Sequence, residues 1–327
     1  MNANAFRQRL IGALLCLSLL ALVAGTVPVT LALLSPLGTM ARALDSMAPQ
    51  MLAAALVPAL LAVPLGAWRA GGAVAVLTLA LAGWFGLQHA QRSLPLASDM
   101  QPEVRILFFN VLFENTGNAE RIAKAARGSG ADVLAFAESG ALTAVLPRLR
   151  EEYPYGVGCE KHCQVLVLSK IPLEPSNPDA GPLAWSERLA SVTVTPPGAT
   201  PFTLIVAHKL KPWFAGQVEQ QDASLQTRLN AIAGPLVVVG DFNAAPWSAP
   251  SREMIDATGL RAPRLPVPTW PAEAGRLGVP IDNIFVRGGA RLTDLAPFGL
   301  DASDPAFWDK GLGMIAGMID ELEAMED

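Results

Sequence analysis

Val237-Val238-Val239-Gly240-Asp241-Phe242-Asn243-Ala244-Ala245-Pro246 is the stretch on which the fold turns. Three β-branched residues in a row read as a strand buried on both faces, as in the sheet of an α/β protein. The strand runs into a glycine and then presents two short polar side chains two residues apart. On extended backbone such positions share a face, so Asp241 and Asn243 are expected to converge on one ligand. Gly-Asp-x-Asn is equally good turn chemistry, so the stretch taken alone leaves a plain strand-end turn open.

Working outward, the same design recurs. Phe109-Asn110-Val111 ends one apolar run with an Asn, Phe136-Ala137-Glu138-Ser139 ends a second with a Glu, and Val206-Ala207-His208 ends a third with a His. Pro280-Ile281-Asp282-Asn283-Ile284-Phe285 sets an Asp among apolar residues. The runs predict strands over Val104–Phe109, Asp132–Ala137, Gln164–Leu168, Ala190–Val194, Thr203–Ala207, Leu236–Val239 and Asn283–Val286. Ala119–Gly128 and Ala215–Ala233 read as helices. Polar groups at strand ends are where an α/β scaffold builds its site. Five such placements in one domain do not read as five accidents.

This ordered set resembles the endonuclease/exonuclease/phosphatase superfamily, which includes deoxyribonuclease-I-like enzymes, apurinic endonucleases, inositol-polyphosphate phosphatases and sphingomyelinases. The resemblance covers residues 103–304, and Gly-Asp-Phe-Asn after the Val run is its most specific piece. Leu168-Ser169-Lys170-Ile171-Pro172 and Pro268-Thr269-Trp270-Pro271 are smaller matches. It implies a four-layer α/β sandwich of two mixed sheets flanked by helices, and hydrolysis of a phosphoester by metal-assisted water attack. It implies Glu138 as principal ligand of a Mg²⁺ or Mn²⁺ ion with Asn110 beside it, and Asp241 orienting or deprotonating the water. Asn243 and His208 would contact the phosphate, and Asp282 would complete the polar shell. The cation is needed because the phosphoryl oxygens are negative and repel a nucleophile. Nucleic acid, a lipid headgroup and a small phosphoester all remain open as substrate.

One position departs from the family. Its members close the site with Ser-Asp-His ahead of a buried strand, whereas Ser303-Asp304 is followed here by Pro305. Asp304 falls on the family's Asp, but the three histidines of the chain are His89, His162 and His208, so none follows residue 208. Losing a positioned general acid or base costs roughly 10²–10⁴-fold in rate, and activity is expected to be weak or absent. A catalytically silent, membrane-anchored binding module is the competing reading. Leu312, Ile315, Ile319 and Leu322 lie at helical spacing, so residues 305–327 read as an acidic amphipathic helix replacing the final strand. That tail resembles the extreme C-terminus of M3-family oligopeptidases, although the chain has no His-Glu-x-x-His motif and peptidase activity is not implied. A fusion or frameshift is the leading reading of the tail, a natural variant the alternative.

Before the domain the composition changes. Residues 1–100 hold five basic and two acidic side chains, while the remainder holds 19 and 27. Three uncharged apolar runs predict transmembrane helices over 10–35, 51–68 and 71–89, within a membrane segment 1–92; a bilayer core takes about 20 such residues. A signal peptide for the first run and a buried helical hairpin are the alternatives. Residues 93–102 read as a linker. The family's membrane-anchored bacterial branch likewise carries N-terminal spans, which implies a multi-pass protein of the bacterial inner membrane. Arg7, Arg9 and Arg69 against Arg42 and Arg92 place the N-terminus inside and the soluble domain in the periplasm. Residues 101–300 hold 18 basic and 19 acidic side chains, a near-neutral balance with no electrostatic footprint for gripping long duplexes. Cys159 and Cys163 flank Glu160-Lys161-His162 and read as a short-loop disulfide in an oxidising compartment. A zinc site from Cys159, His162 and Cys163 is the rival. No protein partner is inferable beyond the phosphoester substrate and the lipid bilayer.

Overall fold

The computed structural model describes residues 3–26, 38–158, 164–175, 187–298 and 313–320. The chain parts into two compact units, Met1–Gln91 with Trp247–Ala249, and Arg92–Pro246 with Pro250–Asp327.

The first unit contains α1 (Ala3–Thr26), α2 (Gly38–Asp45), α3 (Ala48–Ala62) and α4 (Trp68–Gln91). Small residues let these helices approach: Ala55, Ala59 and Ala62 of α3 are fully buried, and Gly71 of α4 lies so close that a Cβ there would meet the Ala59 carbonyl oxygen at 2.6 Å. Of the three expected spans, α1 and α4 are 24 residues each and long and apolar enough to cross a membrane. The second run is corrected. It stops at Ala62 rather than 68, because Pro64 cannot continue the helix and the chain turns through Gly66 at φ 103°. At 15 residues α3 spans only about 22 Å. Residues 27–35, the end of the first predicted run, lie outside the described residues.

The second unit opens with β1 (Ser93–Leu94), β2 (Val104–Asn110), α5 (Ala119–Gly128), β3 (Val133–Ala137), α6 (Leu146–Glu152), β4 (Tyr155–Gly158) and β5 (Val165–Ser169). It continues through β6 (Leu173–Pro175), β7 (Leu189–Val194), β8 (Phe202–His208), α7 (Gln217–Ala231), β9 (Leu236–Asp241), α8 (Ala249–Thr258) and β10 (Ala262–Pro263). It ends with β11 (Asp282–Arg287), β12 (Ala290–Phe298) and β13 (Gly313–Asp320). Two mixed sheets form, ordered β12-β13-β2-β3-β5-β4 and β11-β9-β8-β7-β6.

One apolar core lies between the sheets, where Ile106, Phe108, Ala135 and Val167 meet Leu204, Val206, Val237 and Val239. A second forms where Leu107, Phe109 and Phe136 turn outward against Ile122 and Leu149 of α5 and α6. A third packs Ile205, Val238 and Phe285 against Leu225 and Ile255 of α7 and α8. These are the four layers, and they explain the unbroken apolar runs: β2, β3, β5 and β9 are covered on both faces. Arg287 ties the outer layer down. Its guanidinium donates to the carbonyls of Leu229 and Ile232 at 2.7 and 2.8 Å and also reaches Thr258, serving the C-terminal ends of both helices.

Two further expectations are corrected. The supposed linker is strapped to the domain: β1 pairs in parallel with β10, and Ala97 N–H donates to Leu292 O at 2.8 Å. The tail is not a helix over its described part. Residues 313–320 form β13, antiparallel to β12 on one side and to β2 on the other. Helical spacing loses here because the sheet offers an open backbone edge on each side of the slot, and pairing both outweighs a local preference. The final strand is therefore present.

Candidate active site

The site is assembled by register. Parallel pairing of β2 with β3 sets Asn110 opposite Ala137, so Glu138 emerges one residue beyond. In the other sheet, parallel β8 and β9 set His208 opposite Asp241, and antiparallel β11 sets Asp282 opposite Asp241 on the far side. All five polar positions thus arrive at the same end of the sandwich. Gly240 permits this closeness, since a Cβ there would lie 1.8 Å from the Ala207 carbonyl oxygen.

Asn110 bridges the two sheets. Its amide donates to Asp241 Oδ2 at 3.0 Å and to Glu138 Oε1 at 3.3 Å, and its Oδ1 accepts from Leu112 N–H at 3.1 Å. Glu138 has left-handed backbone, φ 51°, which ends the strand and turns its carboxylate back over the site. Glu138 Oε2 accepts from Phe113 N–H at 3.2 Å. Its side chain is 19 % exposed, against 7 % for Asp241, so Glu138 is the carboxylate that solvent reaches more freely.

His208 Nε2 lies 3.7 Å from Glu138 Oε1 and 3.9 Å from Asp241 Oδ2. Its Nδ1 has Gln164 Oε1 at 3.0 Å and an Arg188 guanidinium nitrogen at 3.3 Å. Each tautomer has partners: a proton on Nδ1 goes to Gln164, and a proton on Nε2 faces the carboxylates while Nδ1 accepts from Arg188. Burial, with help from Arg188, depresses the His208 pKa against the opposing pull of Asp241 and Glu138. Burial likewise raises Asp241, although His208, Asn243 N–H and Asn110 stabilise its charged form. Asp282 is pushed well above the usual carboxylate range, first by burial and then by Asp241 across the strand pair. Its Oδ1 is buried and has no hydrogen-bond partner among the described residues. Asp282 N–H donates to Thr269 Oγ1 at 3.1 Å.

Asn243 reaches the site by a different route from the one expected. The strand ends at Asp241, and Asn243 adopts left-handed backbone at φ 49°. Its N–H donates to Asp241 Oδ1 at 2.8 Å, and its side-chain amide donates to Lys209 O at 2.8 Å. The turn reading is the one the backbone adopts, and the Asx turn itself holds Asp241 in place. Gln164 and Arg188 were missed by sequence reasoning. Gln164 carried a faint signal as the polar residue heading a predicted strand, and Arg188 carried none. Asp304 and the Cys159–Cys163 pair lie outside the described residues.

Among the described residues no group of three His, Cys, Asp or Glu side chains is placed to hold a metal ion. The donors nevertheless fit a hard divalent cation. Glu138 offers a partly open carboxylate, and Mg²⁺ characteristically takes one or two carboxylates and keeps its waters. Asn110 turns its amide nitrogen to that carboxylate and its Oδ1 to Leu112 N–H, so it would ligate only with its amide turned over.

A two-sheet sandwich with carboxylates, a histidine and amides converging at one end defines a hydrolase-like fold of the deoxyribonuclease-I type. Residues 107–304 match the model of the endonuclease/exonuclease/phosphatase family, and the chain belongs to it. A search of curated proteins by sequence returns no match. Among solved structures, the chain is similar to an endonuclease/exonuclease/phosphatase from Bacteroides vulgatus, with 18% identity, 67% of this chain and 99% of that one covered, and a TM-score of 0.51. It is also similar to D. rerio TDP2 complexed with single strand DNA product, with 14% identity, 66% and 98% coverage and a TM-score of 0.50. Sphingomyelinase C from Streptomyces griseocarneus is a third, with 18% identity, 65% and 98% coverage and a TM-score of 0.46. At these identities the first two structures show the fold alone.

Proposed function

We propose that this chain is a membrane-tethered, metal-dependent phosphoester hydrolase. The observation that carries the reading is the joining of Asn110, Glu138, His208 and Asp241, from the ends of four strands of two sheets, into one cluster of hydrogen bonds and close histidine–carboxylate contacts. Glu138 and Asn110 would hold Mg²⁺ or Mn²⁺, which supplies charge neutralisation and orientation at the phosphoryl oxygens. Asp241, fixed by Asn243 N–H and Asn110, orients the attacking water and takes its proton. Its raised pKa makes it a better base than an exposed Asp would be. His208, neutral and partnered at Nδ1, donates from Nε2 to a phosphoryl oxygen. Asn243 supports that contact, and Asp282 completes the polar wall.

The test is Mg²⁺-dependent hydrolysis of bis(p-nitrophenyl) phosphate by the full chain in detergent. Hydrolysis above background that is lost in Asp241→Ala supports the reading, and equal rates in both proteins refute it. Glu138→Gln is expected to weaken Mn²⁺ binding about 10-fold or more, read by electron paramagnetic resonance without any turnover.

A second reading is favoured by Pro305. A chain that lacks the closing histidine keeps the binding chemistry and loses proton transfer, which makes a membrane-anchored binding module. Pro305→His separates the two: a rise of about 100-fold or more would assign the loss to that position. Tethering is supported by α1 and α4, each long enough to cross a bilayer. If α3 also crosses, the hydrolase unit lies opposite the N-terminus, in the periplasm. Protease shaving of intact spheroplasts reads this directly.

A further inference from the structure

Large apolar side chains are unevenly distributed over the surface of the hydrolase unit. Among its described residues seven are exposed: Tyr155 and six others, Phe113, Trp213, Phe214, Leu265, Trp270 and Leu277. The six lie on the three loops that leave the candidate site. Phe113 follows β2, and its N–H is the donor to Glu138 Oε2. Trp213 and Phe214 lie on the loop that continues from His208, whose Lys209 N–H donates to Asp241 O and whose Lys209 O accepts from Asn243. Leu265, Trp270 and Leu277 lie on the loop between β10 and β11, anchored by Asp282 N–H to Thr269 and by Phe242 N–H to Ile281 O.

The exposure is large. Trp213 is 50 %, Trp270 48 % and Leu265 82 % accessible. Elsewhere the surface behaves as a water-facing one. The groove between α5 and α6, for example, is lined by Glu120, Arg127, Arg148 and Glu152 in ion pairs. Among the described residues of this unit apolar exposure is thus concentrated on loops joined to the candidate site, and exposure of that kind marks a surface that docks.

The composition indicates what docks there. Tryptophan and phenylalanine accompanied by cations suit the headgroup level of a bilayer, and Lys211 Nζ lies 5.6 Å from the Trp213 ring centroid while Arg276 adjoins Leu277. The same chain also carries two helices able to cross a bilayer. We infer that the three loops form a rim that docks on a lipid surface, so that the site receives phosphoesters of amphiphilic molecules, headgroup to the polar floor and apolar part among the rim side chains. The headgroup part rests on the hydrolase reading above, whereas the lipid contact does not.

The full chain, reconstituted in phosphatidylethanolamine and phosphatidylglycerol vesicles, would carry photoreactive p-benzoylphenylalanine in place of Phe214, Leu265 or, as control, Tyr155. Lipid adducts at 214 and 265 and none at 155 are expected. No lipid adducts at 214 and 265, equal lipid labelling at all three positions, or adducts to a second protein chain would overturn the lipid contact. In parallel, the double variant Trp213→Ser/Phe214→Ser is expected to lose about 10-fold on a phosphodiester lipid in vesicles. Its hydrolysis of bis(p-nitrophenyl) phosphate should be unchanged, and an equal loss on both substrates overturns the substrate class. If the unmodified chain turns over neither substrate, the hydrolase reading fails, and the adducts decide the rim by themselves.

Discussion

Asp282 and Gly240 show how single residues are held in this site at a cost to stability. Asp282 is 4 % exposed, faces Asp241 across the strand pair, and has no donor to Oδ1 among the described residues. Its folded-state pKa lies above the unfolded value, so the native state binds the extra proton. The stability this contributes is fully present below the unfolded value of about 3.9 and is lost as pH rises through the folded value. Asp282→Asn keeps the shape without the charge. In metal-free protein the melting temperature of the wild type should therefore fall relative to the variant as pH is raised from about 5 to 8; a gap independent of pH would contradict this. Gly240 is constrained by space. Gly240→Ala drives a Cβ into the Ala207 carbonyl and should cost about 3 kcal/mol, read from denaturant unfolding, with parallel loss of the site because His208 and Asp241 flank that contact. Wild-type stability in this variant would show that β8 and β9 can separate freely.

At the scale of elements, β13 carries the most consequence. It fills the slot between β12 and β2, pairing Ala290–Phe298 on one side and Val104–Phe108 on the other. Ending the chain after Phe298 would leave both edges open, and β2 is the strand that delivers Asn110. The truncated protein is expected to aggregate, because unpaired edges recruit other chains. A monodisperse truncation in size-exclusion chromatography, with wild-type circular dichroism, would disprove that dependence. Gln217–Ala231, Ala249–Thr258 and β11 are joined by Arg287, whose three carbonyl acceptors come from both helices and the segment after the first. Arg287→Ala should cost roughly 2–3 kcal/mol in thermal or denaturant unfolding, since buried carbonyls lose a charged donor.

At the scale of the whole molecule the two units differ in what stabilises them. The hydrolase unit buries three apolar cores in water, whereas the helical unit joins through small residues and leaves Leu19, Leu20, Val57, Leu61, Val76 and Leu79 exposed. Such side chains on helices of this length are stable where lipid covers them. The full chain is expected to stay with bilayers through a carbonate wash at high pH and to be released only by detergent. Recovery in the carbonate supernatant would refute the tether.

Strand-ending polar residues were legible in the sequence because burial on both faces forces unbroken apolar runs, and a polar residue that closes such a run stands at the sheet's end, where a site can form. The helix Ala119–Gly128 appears where the pattern put it, and the strands expected over Val104–Phe109 and Leu236–Val239 start as expected and run on to Asn110 and Asp241. Asn110, Glu138, His208, Asp241 and Asp282 could be placed at strand ends for the same reason, and the register brings those ends together. Tertiary structure alone decided three things. It chose the left-handed turn at Asn243 over a continued strand, where the Asn243 amide also meets Lys209 O. It recruited Gln164 and Arg188, whose contacts to His208 join residues 44 and 20 positions apart and leave no local trace. It also made residues 313–320 a strand, because a segment with helical spacing takes the conformation of the two backbone edges that enclose it.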